Sequence, residues 1–157
     1  MNKASKYGLN TIRNQLEAEK VRLVAIRESK ALAAGDQDSW HDEQFKTEMQ
    51  EETKSLDSIG HLEQLLDSLK EHQPDGNDVV DIGHYVTLSF PEKGEKTFWV
   101  DGVVVSGLAH DTVTVESPIG KVIIGSRRGQ TATYVVGTSS VQLQVVDIFL
   151  PEDLPPL

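Results

Sequence analysis

The sequence contains no cysteine among its 157 residues. This absence excludes disulfides and thiolate metal sites, and it fits a reducing compartment. No apolar run approaches the roughly 20 residues that a membrane-spanning helix needs. The polar residues 1–6 also lack the apolar core of a signal peptide. We therefore expect a cytoplasmic protein with no membrane partner.

Positive charge is also scarce. Lysine and arginine total 15 against 25 aspartate and glutamate residues, which gives a formal net charge of -10. Broad electrostatic attachment to nucleic acid needs clustered basic residues, so this balance argues against it. The two signs are segregated, because residues 3–30 are mostly basic and residues 36–81 are strongly acidic. A basic helix beside an acidic helix favours an antiparallel pair.

Two stretches carry apolar residues at the three-four spacing that is typical of a narrow helical stripe. In the first stretch the stripe consists of Leu9, Ile12, Leu16, Leu23, Ile26 and Ala33, with Glu19 and Lys30 in the remaining positions. In the second it consists of Phe45, Met49, Leu56, Ile59, Leu62, Leu66 and Leu69, with Glu52 in one position and a one-residue slip near Ile59. Neither stripe is wide enough to bury a globular core, so we predict an antiparallel coiled coil over residues 1–73. The alternative, two helices packed on a larger domain, would need broader apolar faces.

A short acidic break at residues 35–43 separates the two stretches. Gly35 is a natural helix stop, and the polar residues from Ser39 onward suit a helix start. The carboxylates of the break are Asp36, Asp38, Asp42 and Glu43. Gathering like charges at a hairpin tip costs free energy, which makes sense if a divalent metal in a partner meets the tip. Simple capping is the alternative reading, because helix starts favour acidic residues.

The second half of the chain changes period. Pro74 and Gly76 mark a linker at residues 74–80, after which apolar and polar residues alternate. We predict five strands, at Tyr85–Phe90, Thr97–Val100, Thr112–Val115, Thr131–Val135 and Val141–Ile148. They form a mostly β domain over residues 81–150, followed by a loose tail at 151–157. The fold class is therefore α+β, a helical hairpin followed by a mostly β domain.

The segment at residues 116–125 reads Glu-Ser-Pro-Ile-Gly-Lys-Val-Ile-Ile-Gly and is followed by Arg127 and Arg128. It resembles the signature in the C-terminal domain of bacterial Gre transcript-cleavage factors. The Gly-Asp step at Gly35 is similar to the step at the coiled-coil tip of that family, and residues 7–16 are similar to its opening helix. The resemblance covers essentially the whole chain. It implies a coiled-coil hairpin followed by an FKBP-like, mostly β domain.

The resemblance also implies a partner, bacterial RNA polymerase. Gre factors dock their C-terminal domain at the rim of the polymerase secondary channel and pass the coiled coil down it. The tip carboxylates then help to hold Mg²⁺ and to orient water, so that backtracked nascent RNA is cut near its 3′ end. The residues implied for metal and water positioning are Asp36, Asp38 and Asp42, and those implied for polymerase contact are Ser117, Pro118, Ile119 and Gly120.

The resemblance implies a monomer. Because the Mg²⁺ would be shared with the polymerase, it also implies that the protein holds no cofactor tightly and cleaves no RNA alone. The tip departs from the family at Ser39, which stands in place of a second acidic residue, and at the neighbouring Trp40 and His41. A hydroxyl replaces a carboxylate poorly in metal binding. A second hypothesis is therefore a non-catalytic regulator that occupies the channel and competes with cleavage factors or modulates initiation.

An independent enzyme is the third hypothesis, because the C-terminal domain of the family resembles a prolyl-isomerase fold. An isomerase pocket needs clustered aromatic residues, and the aromatic residues here mostly occupy strand positions that core packing explains. The sequence has no nucleophile motif and no phosphate-binding glycine loop. Four histidines show no site spacing, namely His61, His72, His84 and His110. Arg127 and Arg128 either contact the polymerase or are surface charges, and we expect the latter.

Overall fold

The structure is a computed structural model that describes residues 2–34 and 39–154, with side chains described for 2–32 and 46–154. In chain order the elements are β1 (Lys3–Ala4), α1 (Lys6–Ala34), α2 (Ser39–Ser68), β2 (Lys70–Glu71), β3 (Tyr85–Phe90), β4 (Gly94–Asp101), β5 (Asp111–Thr114), α3 (Pro118–Ile123), β6 (Thr131–Val136) and β7 (Ser139–Phe149). The chain divides into two compact units: a helical unit, Ile12–Ser68, and a β unit that joins Met1–Thr11 to Leu69–Leu157. The predicted α+β class is confirmed.

The helical unit is an antiparallel hairpin of α1 and α2. Ser55 donates a hydrogen bond to Glu19 at 3.0 Å, and Arg22 pairs with Glu51 at 2.6 Å. As the residue numbers increase along α1, the numbers of their partners in α2 decrease. The two helices are therefore antiparallel. The buried stripe of α1 includes Leu16, Leu23 and Ile26, as its spacing predicts.

The stripe of α2 differs from the predicted one. Met49 and Leu56 are 47% and 44% exposed, whereas Ser55 is fully buried. The three-four spacing of the inward face runs through 48, 52, 55, 59, 62, 66 and 69. The placement of Met49 and Leu56 in the stripe was therefore wrong. The predicted stripe needed a one-residue slip near Ile59, whereas the observed stripe needs none and includes the polar residues Glu48, Glu52 and Ser55.

Those polar positions face one another across the hairpin. Lys30 Nζ lies 3.2 Å from a carboxylate oxygen of Glu52, and Ser55 bonds to Glu19. Partly exposed pairs of this kind add little stability. However, polar partners in a helix–helix seam specify register, because a slip by one step would leave them unpaired.

The β unit contains a five-stranded sheet with the order β5-β4-β3-β7-β6. Only β4 and β5 run parallel, while the other neighbours are antiparallel. The short helix α3 lies in the connection from β5 to β6. All five predicted strands are confirmed, with ends that differ by at most three residues. Alternation of apolar and polar residues was therefore a reliable guide to this half of the chain.

The sheet buries apolar side chains on both faces. One face carries the larger core, made of Val80, Val86, Leu88, Phe98, Val100, Val113, Ile123, Leu143, Val145 and Ile148. The other face carries Tyr85, Trp99 and Val105, with Leu154 packed against them. The alternation of Tyr85 with Val86, and of Phe98 with Trp99, follows from the two-residue period of a strand.

The boundaries of the β unit differ from the predicted ones. Strand β1 pairs in parallel with β2, so the first eleven residues join the β unit rather than a helical domain ending at 73. Within the predicted linker, Val80 is buried and its amide donates to the Ser126 carbonyl at 2.9 Å. In the predicted loose tail, Pro151–Asp153 form a 3-10 turn. Residues 155–157 lie outside the described part of the chain.

In the ranges 2–34 and 39–154, none of the helices has the length and apolarity required to cross a bilayer.

Candidate functional site

The segment that resembles the family signature forms the start of α3. Ser117 is the N-cap, with extended backbone angles of φ -69 and ψ 159. Its hydroxyl accepts the Gly120 N–H at 3.0 Å and donates to the Thr114 carbonyl at 2.7 Å. Pro118 follows in the first turn, where a missing N–H costs nothing. The serine and proline thus have a local reason to be adjacent, because together they start a helix directly after β5.

Gly120 is required by a close approach of the backbone. A Cβ at this position would overlap the Thr114 carbonyl oxygen and would lie 3.0 Å from the Ser117 hydroxyl. The helix ends at Ile123, and Gly125, two residues later, has a φ of +79, a left-handed conformation that favours glycine. Ile123 is fully buried in the core. The short helix is therefore fixed to the sheet along one side.

The four residues implied for polymerase contact differ in what they present to solvent. Ser117 and Gly120 are engaged in the turn, and Ile119 packs partly against the core. Pro118 is exposed, as is Lys121 one turn further on. We call Pro118 and Lys121 the α3 surface. Ser117 and Gly120 shape this surface, whereas Pro118 and Lys121 are available to a partner.

Arg128 has a structural role. Its Nε lies 2.7 Å from an Asp147 carboxylate oxygen, and one of its terminal nitrogens donates to the Ile148 carbonyl at 2.7 Å. Arg127 is exposed, as expected for a surface charge. The guanidinium of Arg128 instead bonds to the end of β7, so the expectation of a plain surface charge was incomplete for this residue.

Two histidines that looked scattered in the sequence meet at Asp81. His72 Nε2 lies 2.6 Å from an Asp81 carboxylate oxygen. His84 is buried; its Nδ1 accepts the Asp81 N–H at 3.0 Å, which leaves Nε2 to donate to the Gly76 carbonyl at 2.5 Å. Burial disfavours the charged imidazolium and lowers the pKa of His84 below its usual value. A neutral imidazole with both nitrogens bonded is a structural element of the core.

Sequence reasoning missed Asp101, a fully buried carboxylate at the end of β4. One of its oxygens accepts the N–H groups of Ser5 and Gly102, at 2.9 and 2.7 Å. The other accepts the Ser5 hydroxyl at 2.5 Å and the Trp99 indole N–H at 2.8 Å. A signal was present, because an acidic residue that continues the apolar run Phe-Trp-Val must find buried donors. Its main partner, Ser5, is 96 residues away.

The comparison with known proteins follows the same features. Residues 73–149, which include the whole of α3, match the family model described as "Transcription elongation factor, GreA/GreB, C-term". Residues 73–149 belong to the GreA/GreB family. Over 150 residues it is 27% identical to transcription elongation factor GreA of Syntrophomonas wolfei, covering 92% of this chain and 93% of that protein. An uncharacterized protein of Mycobacterium tuberculosis is 33% identical over 79 residues, which are 48% of this chain and 49% of that protein. GreA factor homolog 1 of Thermus thermophilus has a solved structure with 22% identity, coverage of 94% and 97%, and a TM-score of 0.42.

The acidic segment at residues 35–43 is known from the sequence alone. Asp36 and Asp38 lie outside the described residues, and Asp42 lies in α2 at a position whose side chain is not described. Their role remains the sequence-based prediction. In the part of the chain whose side chains are described, no group of three or more histidine, aspartate or glutamate residues is placed to hold a metal ion.

Among the described side chains, most aromatic rings of the β unit pack in or against the two cores of the sheet. Trp99 contacts Tyr7 and Tyr85 edge-on, with ring centroids 5.3 and 4.8 Å apart, and is almost completely buried. Phe90 and Phe98 meet edge-on at 6.3 Å beside the other core. Core packing therefore accounts for these rings, as the sequence indicated.

Proposed function

We propose that this chain binds bacterial RNA polymerase through the secondary channel and stimulates cleavage of backtracked nascent RNA in the cytoplasm. The observation that carries the proposal is the combination, in one chain, of the GreA/GreB C-terminal domain and a two-helix hairpin. The acidic segment at residues 35–43 lies between the two helices in the sequence. A family docking domain and an acidic segment between two long helices are the two parts that this function needs.

In this proposal the β unit binds the polymerase, and the acidic segment of the hairpin supplies carboxylate groups to its active centre. The α3 surface offers an exposed proline and a lysine to the polymerase. Asp36, Asp38 and Asp42 supply carboxylate oxygens, which are suitable ligands for a hard cation such as Mg²⁺. The polymerase supplies the other metal ligands, so that hydrolysis proceeds by a two-metal mechanism. The protein alone, acting as a monomer, would cleave no RNA.

Docking is tested by titrating fluorescently labelled protein with core RNA polymerase. Pro118→Ala and Lys121→Glu should each weaken binding by about tenfold, which corresponds to about 1.4 kcal/mol at an interface. The matched controls are Pro91→Ala and Lys93→Glu, which alter exposed residues in the turn between β3 and β4. Failure of the unaltered protein to bind core polymerase would reject the proposal.

The role of the Asp36 carboxylate in cleavage is tested with Asp36→Ala in a halted, backtracked transcription complex that contains Mg²⁺. The variant should bind polymerase as the parent does, and its cleavage rate should fall at least tenfold, because misplacing a catalytic group costs about this much or more. Asp67→Ala, an exposed change in the last turn of α2, is the control. Undiminished cleavage by Asp36→Ala would show that the tip carboxylate has no part in the reaction.

The non-catalytic regulator remains the second candidate, and Ser39 is the observation that favours it. Ser39 is the first residue of α2 and stands where the resemblance leads us to expect a carboxylate. Ser39→Glu should raise cleavage if the first proposal holds, because it adds a metal-binding oxygen at the tip. If the parent binds polymerase without cleaving, and Ser39→Glu adds no activity, the regulator is the better description.

A further inference from the structure

Asp101 lies where the first turn of α1 meets the sheet. Its carboxylate accepts both the N–H and the O–H of Ser5, the residue that precedes α1. The Ser5 hydroxyl in turn accepts the Gly8 N–H at 3.1 Å, as an N-cap side chain does. The positive end of the helix dipole points toward this negative charge. Asp101 thus binds the start of α1 through a chain of hydrogen bonds whose members strengthen one another.

Two glycines make this contact possible. A Cβ on Gly8 would lie 2.9 Å from both oxygens of Asp101 and from a methyl group of Val103. A Cβ on Gly102 would overlap the Lys3 carbonyl oxygen. A side chain at position 8 would push α1 away from Asp101, and a side chain at position 102 would push β1 away from the end of β4. The indole of Trp99 fixes the carboxylate from the side of the sheet.

We call the hydrogen bonds between Asp101 and Ser5 the anchor. Because α1 is long, a small movement at the anchor becomes a large movement at the opposite end of the helix. The helix has 29 residues, which at 1.5 Å per residue is about 43 Å. A tilt of about 3° around the first turn would displace the opposite end of the helix by about 2 Å. Displacements of about 1 Å can reduce the rate of a positioned reaction by about a hundredfold. Small freedom at Ser5 would therefore matter greatly at the tip.

We infer that Asp101 is a positioning residue, which fixes the first turn of α1 so that the tip carboxylates reach the reacting phosphate. The inference rests on the proposed cleavage function. It assigns Asp101 and Ser5 to the cleavage step and leaves polymerase binding to the α3 surface. A purely structural role would instead lower the amount of folded protein without changing the rate per bound factor.

The test compares the cleavage rate at saturating factor with the concentration that gives half of that rate. Asp101→Asn, which keeps the side-chain shape, and Ser5→Ala should each lower the saturating rate at least tenfold. The half-saturating concentration should change by less than about threefold. Ser5→Thr, which retains the hydroxyl, should restore most of the rate. The controls are Asp111→Asn, an exposed carboxylate, and Ser126→Ala, which removes a buried hydroxyl elsewhere in the β unit.

Amide hydrogen exchange separates the anchor from the proposed function. In Asp101→Asn and Ser5→Ala, the amides of residues 6–11 should exchange faster than those of β3 and β7. A parent protein that cleaves no RNA would reject the proposed function. Unchanged amide exchange in the two variants would overturn the anchor, whether or not the parent cleaves. A parent-like saturating rate in both variants, or a rise in half-saturating concentration alone, would also overturn the inference. Should Asp101→Asn not fold, Ser5→Ala decides.

Discussion

Replacing Ser117 by alanine isolates the energetic value of the α3 cap. The change removes the acceptor for the Gly120 N–H, which lies 3.0 Å away, and loss of a serine N-cap costs about 1 kcal/mol. It also removes the donor to the Thr114 carbonyl. That oxygen keeps the Ser117 backbone N–H at 3.0 Å, so it is not left unpaired and the second loss is smaller. The sum is about 1–2 kcal/mol in the free energy of unfolding.

The assay is urea unfolding followed by tryptophan fluorescence. The chain has two tryptophans, and in a Trp40→Phe background only Trp99 reports, from the core of the β unit. With a slope of about 1.5 kcal/mol per molar urea, the midpoint of Ser117→Ala should fall by about 1 M. Ser117→Thr keeps the hydroxyl and should stay within about 0.5 kcal/mol of the parent. An unchanged midpoint in Ser117→Ala would refute the cap, and the reasoning about why serine precedes proline here would fail with it.

Two further predictions concern the helical unit and the buried histidine. Gly60 is exposed within α2, and a Cβ there meets nothing within 4 Å. Gly60→Ala should therefore raise the free energy of unfolding of the hairpin by about 1 kcal/mol. Thermal unfolding followed by circular dichroism measures this change, and a lower melting temperature would contradict it. Because the pKa of His84 is lowered in the folded protein, the unfolded chain takes up a proton first as the pH falls. Stability should be full above the unfolded pKa of about 6.5 and decline below it. The His84→Gln side chain can still form hydrogen bonds with Asp81 and Gly76. This variant should show a smaller decline in the urea midpoint between about pH 7.5 and about pH 5. Equal slopes in both proteins would show that another group is responsible.

The strands were predictable because their information is local. Tyr85–Phe90 was predicted with the bounds it has in the structure, since alternation and β-branched residues mark it without reference to any partner. The start of α3 was also readable, because serine, proline and glycine at residues 117, 118 and 120 each satisfy a local backbone requirement.

The features that could not be predicted depend on partners far away in the chain. Leu56 and Ser55 are adjacent, and both fit a three-four spacing, so the choice between them depends on Glu19 in the other helix. The carboxylate of Asp101 accepts hydrogen bonds from Ser5, which is 96 residues away in the chain. Polar burial is decided by tertiary partners, about which a single sequence carries little information.

The most direct test of the central claim uses the unaltered protein with purified bacterial RNA polymerase stalled in a backtracked complex. In the presence of Mg²⁺, addition of the protein should shorten the nascent RNA from its 3′ end and release a small fragment, while the polymerase alone does so far more slowly. RNA of unchanged length, in a complex to which the protein is shown to bind, would contradict the account.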